Sequence, residues 1–337
     1  MSDISTFVPK EGFLIKLKEA KADERKLYDV IVIGSGPAGL TASIYCAMNG
    51  LSTLVIAGYE WGGQPMKAHI IENYPGFPYG IKGPELMMNM RKQAAKFGVE
   101  FVEEDATEVN FKIRPFEVYV RGKTFRSKTV ILALGAKHKE LGLKAEKEFL
   151  GRGLSYCAIC DGHFFKDKVV AVVGGGDSAL SDALYLANLA TKVYLIHRRE
   201  EFRAKKYLQD LVRSNQKIEI MFNTAIIDII GKESVEGIKI RNLKTNEESY
   251  IKVDGIFVAI GYEPSTELVK GHLELTPNGY IKTYEFTKTS VPGVFAAGDV
   301  MDDRYRQIVT AAAFGAMAAM DAIEYLRSQA GESPSPL

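Results

Sequence analysis

A strand, a glycine-rich turn and an apolar helix, met twice in one chain, leave little freedom in how it can fold. Asp29–Ile33, apolar from Val30 on, leads into Gly34-Ser35-Gly36-Pro37-Ala38-Gly39, then a helix over Leu40–Asn49 and a second strand over Ser52–Ile56. The same order returns 140 residues later, with strand Val169–Val173, the turn Gly174-Gly175-Gly176-Asp177-Ser178-Ala179, helix Ala179–Leu189 and strand Lys192–Ile196. Each is the start of a βαβ unit, in which a short, wholly apolar strand is buried on both faces and the helix crosses over it. Two such starts predict an α/β chain with two Rossmann-like dinucleotide-binding domains.

Further strands tell how the two units are joined. Thr129–Gly135 is an apolar run ending in glycine, Gly255–Gly261 is its counterpart after the second unit, and Gly293–Asp299 is a third near the end. Strand structure that resumes after the second unit predicts a domain inserted into another: an outer one over 28–138 and 267–330, an inner one over 139–266. The 337 residues suit two domains of about 100–200 residues each. A small-residue helix is expected over Arg306–Leu326. Residues 1–27 form an N-terminal extension, with a short surface helix or a frayed end over Glu11–Arg25, and Gly331–Leu337 is composed like a disordered tail.

Composition excludes several classes of partner. Lys and Arg number 43 against 42 Asp and Glu, so no global charge favours nucleic acid or an anionic membrane. No run approaches the ~20 apolar residues that span a bilayer, and the first residues carry no signal-peptide pattern. Three cysteines are too few for a disulfide scaffold and fit a reducing compartment, so a cytoplasmic location is expected.

In Gly34-x-Gly36-x-x-Gly39 the first glycine makes the tight turn, the second lets backbone approach a pyrophosphate, and the third packs helix on strand. No acidic residue closes the second strand at Ile56. Glu60, a little later, is the candidate ribose ligand. In the inner motif Ala179 replaces the last glycine, and the strand Lys192–Ile196 is followed by His197-Arg198-Arg199, with Arg203 beyond. A carboxylate there would select NADH. Guanidinium groups instead bind a 2′-phosphate, so NADPH is expected, with Arg198 and Arg203 leading and Arg199 in support.

Between the two motifs lies Cys157-Ala158-Ile159-Cys160-Asp161, whose second cysteine precedes Gly174 by fourteen residues. A Cys-x-x-Cys pair closes a small reducible disulfide and supplies a nucleophilic thiolate, and Asp161 could pass a proton to a leaving thiolate. His163 extends the string toward a zinc pattern. A structural zinc needs four ligands, however, and no second cluster supplies them, so no metal is expected. Cys46 lies in the first apolar helix and reads as a core residue.

Taken together, these stretches resemble the low-molecular-weight thioredoxin reductases, flavoproteins with two dinucleotide domains. The likeness runs from about Tyr28 to Leu326. Besides the two turns and the cysteine string it rests on Gly62-Gly63-Gln64, Glu72-Asn73-Tyr74-Pro75-Gly76, Phe202-Arg203-Ala204, Gly298-Asp299-Val300-Met301-Asp302 and Tyr305-Arg306-Gln307. The resemblance implies FAD in the outer domain, with Gln64, Asn73, Asp299, Arg306 and Gln307 around it and Gly135 and Gly298 at the strand ends. It implies NADPH in the inner domain, Cys160 facing the flavin, Cys157 attacking the disulfide of thioredoxin, and a homodimer. Because nicotinamide and disulfide must meet the same flavin, it also implies rotation of one domain on the other, for which Gly135 and Gly261 would serve as hinges.

The chain departs from the family pattern at four places. Leu134 stands where threonine is usual, Pro65 where an aliphatic residue is usual, Ser181-Asp182 where acidic pairs are common, and His163 where an aromatic residue is common. His163 lies beside Phe164 and Phe165, where the family docks its partner, so the acceptor stays open: thioredoxin, or a glutaredoxin- or peroxiredoxin-like protein. NADH or a ferredoxin is the alternative donor, against which the arginines argue. A redox-silent flavin- or metal-binding module would leave the cysteine string unexplained.

Overall fold

The structure, a computed structural model, describes residues 20–331. The expectations for most of the N-terminal extension and for the tail beyond Gly331 therefore lie outside the described residues. The part of Glu11–Arg25 that is described is not helical: Ala20–Lys21 is a two-residue strand paired with Glu100 and Phe101.

The first unit consists of β1 (Leu27–Ile33), α1 (Pro37–Met48) and β2 (Thr53–Ile56). With β3 (Lys123–Leu132) beside β1, these form the centre of an eight-stranded sheet that is parallel there and antiparallel at one edge. The second unit follows a one-turn helix α2 (Ala158–Asp161) and consists of β4 (Val169–Val173), α3 (Asp177–Ala187) and β5 (Lys192–Ile196). With β6 (Gly255–Val258), Ile218–Met221 and Leu154–Ser155 they make a five-stranded, all-parallel sheet, covered on one face by a three-stranded antiparallel sheet. The chain then returns to the first sheet, where β7 (Val294–Ala296) pairs with Val130–Leu132 of β3. It ends in α4 (Ile308–Gln329), packed along α1. The fold is thus α/β with two Rossmann-like units, the second interrupting the first.

The period of two explains why the central strands are apolar without a break. Val30 and Val32 point into the core beneath α1, while Ile31 and Ile33 point into a second core on the opposite face of the sheet. Likewise Val170 and Val172 pack with α3, and Ala171 and Val173 face the antiparallel layer. Element ends shift for local reasons. α1 begins at Pro37 because proline suits the first helical turn, where its missing N–H has no partner to lose.

α4 starts at Ile308 and not at the expected Arg306, since Arg306 holds a φ of 48°, which no helix continues. By length and apolar composition α4 could cross a membrane, contrary to the sequence expectation, because its alanines raise the average where no unbroken apolar run exists. Here Ala311, Ala318, Ala319 and Ala322 are buried in the outer core. A Cβ on Gly315 would collide with the carbonyl of Ala38, so glycine sets the approach of α4 to the N-terminus of α1.

The two crossings between the sheets run side by side. Ala136–His138 pairs antiparallel with Tyr262–Pro264, Lys139 N–H donates to the Gly261 carbonyl (2.9 Å), and Ser265 N–H to that of Gly135 (3.0 Å). Gly135 and Gly261 both have positive φ, 70° and 109°, and stand in open space.

Candidate active site

The outer glycine turn is built as the spacing predicts. A Cβ on Gly34 would strike the Ala133 carbonyl, and one on Gly39 would strike that of Gly34, so internal packing accounts for both. Gly36 differs. Its φ of −68° suits any residue, and a Cβ there would meet nothing within 4 Å. No described residue requires glycine at this point, which fits a group that lies against it. Gly36 is also the N-cap of α1, where no side chain among the described residues caps the helix and no acid occupies the first turn, an N-terminus suited to an anion.

Other expected outer residues gather around this turn. Ser35 is buried; its hydroxyl donates to the Ala57 carbonyl (2.8 Å) and accepts from Gly62 N–H (3.0 Å), tying the Gly62-Gly63 loop to the turn. Gly298 lies against Ala38, whose Cβ a side chain at 298 would crowd. Next to it the half-buried Asp299 carboxyl has no hydrogen-bond donor among the described residues. Burial, then the like charge of Asp302, push its pKa up to about 6, with Arg306 opposing. A carboxylate in that setting fits ribityl hydroxyl groups as donors. Gln64 lines a cavity of about 510 Å³ with Lys67 and the Lys137–Glu140 crossing. Glu60 is exposed on the turn beyond β2. These residues fit a bound dinucleotide flavin.

The cysteines form a disulfide, with Cα atoms 5.3 Å apart. Cys157 is the N-cap of α2 and its Sγ accepts from Cys160 N–H (3.2 Å). Across from it stands Gln307, the N-cap of α4. Its Nε2 is 3.8 Å from Cys157 Sγ and its Oε1 is 3.7 Å from Cys160 Sγ, while Asn73 Nδ2 donates to that Oε1 (3.1 Å). The disulfide of the inner unit is therefore seated against Gln307 of the outer unit, which Asn73 orients; the family resemblance assigns both residues to the flavin. Asp302 shapes the preceding loop by accepting from the N–H groups of Arg304, Tyr305 and Arg306 (2.9, 2.9 and 3.0 Å). The Arg306 guanidinium then lies over the Tyr262 ring (4.3 Å).

Asp161 accepts from Ser155 Oγ at 2.6 Å, and the same hydroxyl accepts from Cys157 N–H at 3.0 Å. Burial raises the pKa of Asp161, with Ser155 and His163 opposing. Sequence reasoning misses Ser155; its only signal is a hydroxyl two residues before the first cysteine. It also misses that Asp182, half-buried on α3, faces Arg306. Burial pushes the Asp182 carboxyl up to about 6 while Arg306 pulls it down. His163 and Phe164 are exposed beside the disulfide, but Phe165 is not part of that surface. It is buried edge-on against Phe257 (5.2 Å), which corrects its place beside a docking face.

The inner turn repeats the outer logic. Gly174 is pressed against the Ala259 carbonyl and Gly175 against the His197 ring, yet a Cβ on Gly176 would meet nothing within 4 Å. Gly176 caps α3, Ser178 and the fully buried Ala179 follow in its first turn, and Asp177 accepts from Lys205 N–H (2.8 Å). Arg198, Arg199 and Arg203 are exposed and pair with no carboxylate among the described residues, since Glu200 is taken by Lys244. Arg203 N–H donates to the Gly175 carbonyl (2.8 Å), which fixes it beside the turn. His197 is apart from them. It is only 6% exposed, its Nε2 meets the Glu201 carbonyl (3.0 Å), and burial lowers its pKa, so it braces the turn while the arginines face outward.

Residues 28–315 match the family model of the pyridine nucleotide-disulphide oxidoreductases. A thioredoxin reductase of Mycolicibacterium smegmatis is 47% identical over 304 residues, which cover 90% of this chain and 98% of that protein. Among solved structures, a thioredoxin reductase from Streptococcus pyogenes superposes with a TM-score of 0.85 at 40% identity, covering 90% of this chain and 99% of its own. One from Lactococcus lactis in an FR conformation gives 0.60 at 37% identity, with 89% and 99% covered.

Proposed function

The chain belongs to the pyridine nucleotide-disulphide oxidoreductase family, and within it we propose that the chain is an NADPH-dependent thioredoxin reductase carrying FAD. The observation that carries this reading is the Cys157–Cys160 disulfide of the inner unit, seated against Gln307 of the outer unit, which Asn73 holds in place. In this reading 28–138 with 267–330 hold FAD, and 139–266 hold NADPH and the cysteines. The enzyme acts as a homodimer in the cytoplasm.

FAD bound at Gly36 and Asp299 would supply two-electron transfer between a reduced nicotinamide and a disulfide. The remaining steps belong to the chain. Arg198 and Arg203 hold the 2′-phosphate, and the N-terminus of α3 holds the pyrophosphate. Reduction by two electrons opens the Cys157–Cys160 bond with Cys160 facing the flavin. The Cys157 thiolate attacks one sulfur of the thioredoxin disulfide, whose S–S bond breaks as a mixed disulfide forms. Asp161 delivers a proton to the departing sulfur. Cys160 then attacks the mixed disulfide, restores the Cys157–Cys160 bond and releases the second thioredoxin thiol. Nicotinamide and disulfide would both have to reach the same flavin, so in this reading the two units rotate on one another about Gly135 and Gly261. The two TM-scores support this. At nearly equal identity and coverage, one relative superposes well and the other poorly, as expected when two similar domains are differently arranged.

The reading is tested by the yellow, FAD-loaded protein in a thioredoxin-disulfide assay with NADPH. Absence of NADPH-dependent thiol formation would overturn it. The same assay tests Asp161. Its raised pKa keeps the acid protonated to higher pH than an exposed aspartate, and wild-type turnover should fall as pH climbs through that value. Asp161→Asn should be slower by about 10²-fold below that range and lack the falling limb. An unaltered limb in the asparagine variant would remove Asp161 from the proton path.

A further inference from the structure

Two consecutive residues of the outer unit bear on the cysteine segment, Asn73 through Gln307 and Glu72 directly. Asn73 orients Gln307 against the disulfide. Its neighbour Glu72 reaches the other way, and its Oε2 lies 2.6 Å from His163 Nε2, on the turn that directly follows α2. Both side chains are 44% exposed, so neither is needed to fill a core. Both are nevertheless held. Glu72 follows Ile71, which is buried and exchanges two backbone hydrogen bonds with Ile81 (2.7 and 3.0 Å), and the His163 ring rests on Phe164 (3.9 Å). The pair joins chain segments 91 residues apart that belong to the two units, beside the reactive disulfide.

We propose that Glu72 and His163 are positioning residues for the disulfide: their contact latches the cysteine segment against Gln307 and must open whenever the two units exchange positions. The inference rests on the function proposed above. The contact is a hydrogen bond when the imidazole is neutral and an ion pair when it is protonated, so it persists in both states. Its strength is that of an exposed pair, small enough to be broken in every cycle yet able to bias a two-state equilibrium severalfold.

The test reads where the cysteines spend their time without relying on turnover. The FAD-loaded enzyme is reduced anaerobically with dithiothreitol, the reductant is removed, and the rate of alkylation of Cys157 and Cys160 by iodoacetamide is measured. Glu72→Gln and His163→Phe should each raise that rate about two- to fivefold, and the double variant should go no further. A purely electrostatic influence on the thiols predicts opposite signs. Removing an anion would lower a nearby thiol pKa and speed alkylation, whereas removing a cation would slow it. Unchanged rates, opposite signs or additive increases would each overturn the latch. Failure of NADPH to reduce the wild-type enzyme would instead count against the proposed function and leave this comparison standing.

Discussion

Cys160→Ser is expected to abolish NADPH-dependent reduction of thioredoxin, a loss of about 10³-fold or more, while leaving NADPH able to bleach the flavin. The two effects separate because the cysteines and the arginine-lined turn do different work. A serine hydroxyl can neither share a disulfide nor become a useful nucleophile near neutral pH, so electrons that reach the flavin have no dithiol to enter. The nicotinamide site contains neither cysteine and should be intact. Cys157→Ser should be equally inactive toward thioredoxin, for lack of the attacking thiolate. Both positions are half-buried, Cys157 at the N-cap of α2 and Cys160 within it, and exchanging sulfur for oxygen leaves the core untouched, so misfolding would not account for the loss. Steady-state thioredoxin reduction alongside anaerobic absorbance of the flavin checks both halves. Substantial thioredoxin reduction by either variant would contradict the relay.

The second large effect concerns the choice of donor. Arg198→Ala and Arg203→Ala should each raise the KM for NADPH about tenfold, and the double variant about a hundredfold, with the KM for NADH little changed. A charge-assisted hydrogen bond to phosphate contributes ~1.5–3 kcal/mol, and the exposure of these side chains puts each near the lower end. Added salt should narrow the difference between wild type and variants, because exposed charges are screened. His197 should not follow the arginines, since its ring is buried against Gly175 and presents no charge to a ligand. Equal losses with NADPH and NADH would show that the arginines support the turn and do not read the 2′-phosphate.

The elements that could be read from the sequence were those whose signal is local. Strand, glycine turn and helix follow one another within a few residues, and the same contacts that make Gly34 and Gly39 necessary are made inside one βαβ unit. The start of α4 was less legible because a positive φ at Arg306 depends on Asp302 gathering three backbone N–H groups, a loop geometry that no periodicity announces. His197 carried a signal that composition obscured. Alternation along β5 puts residues 193, 195 and 197 on one face, and Val193 and Leu195 are core, so the ring belongs inward with Phe202 and Phe222. Phe164 and Phe165 likewise separate into an exposed and a buried residue only once the turn after α2 is placed. The Ser155–Asp161 bond and the Glu72–His163 contact lie beyond any such reading. The first needs the chain to reverse at Cys157, and the second needs both units in place.

The central claim is that electrons pass from NADPH through a flavin to the Cys157–Cys160 pair. Anaerobic titration of the FAD-loaded enzyme with NADPH, followed by flavin absorbance and by the thiols released, tests it most directly. The account predicts that one equivalent of NADPH is consumed by the flavin and a second by the disulfide, with both thiols free at the end point. A flavin fully bleached by one equivalent, with Cys157 and Cys160 still joined and no further NADPH taken up, would contradict it.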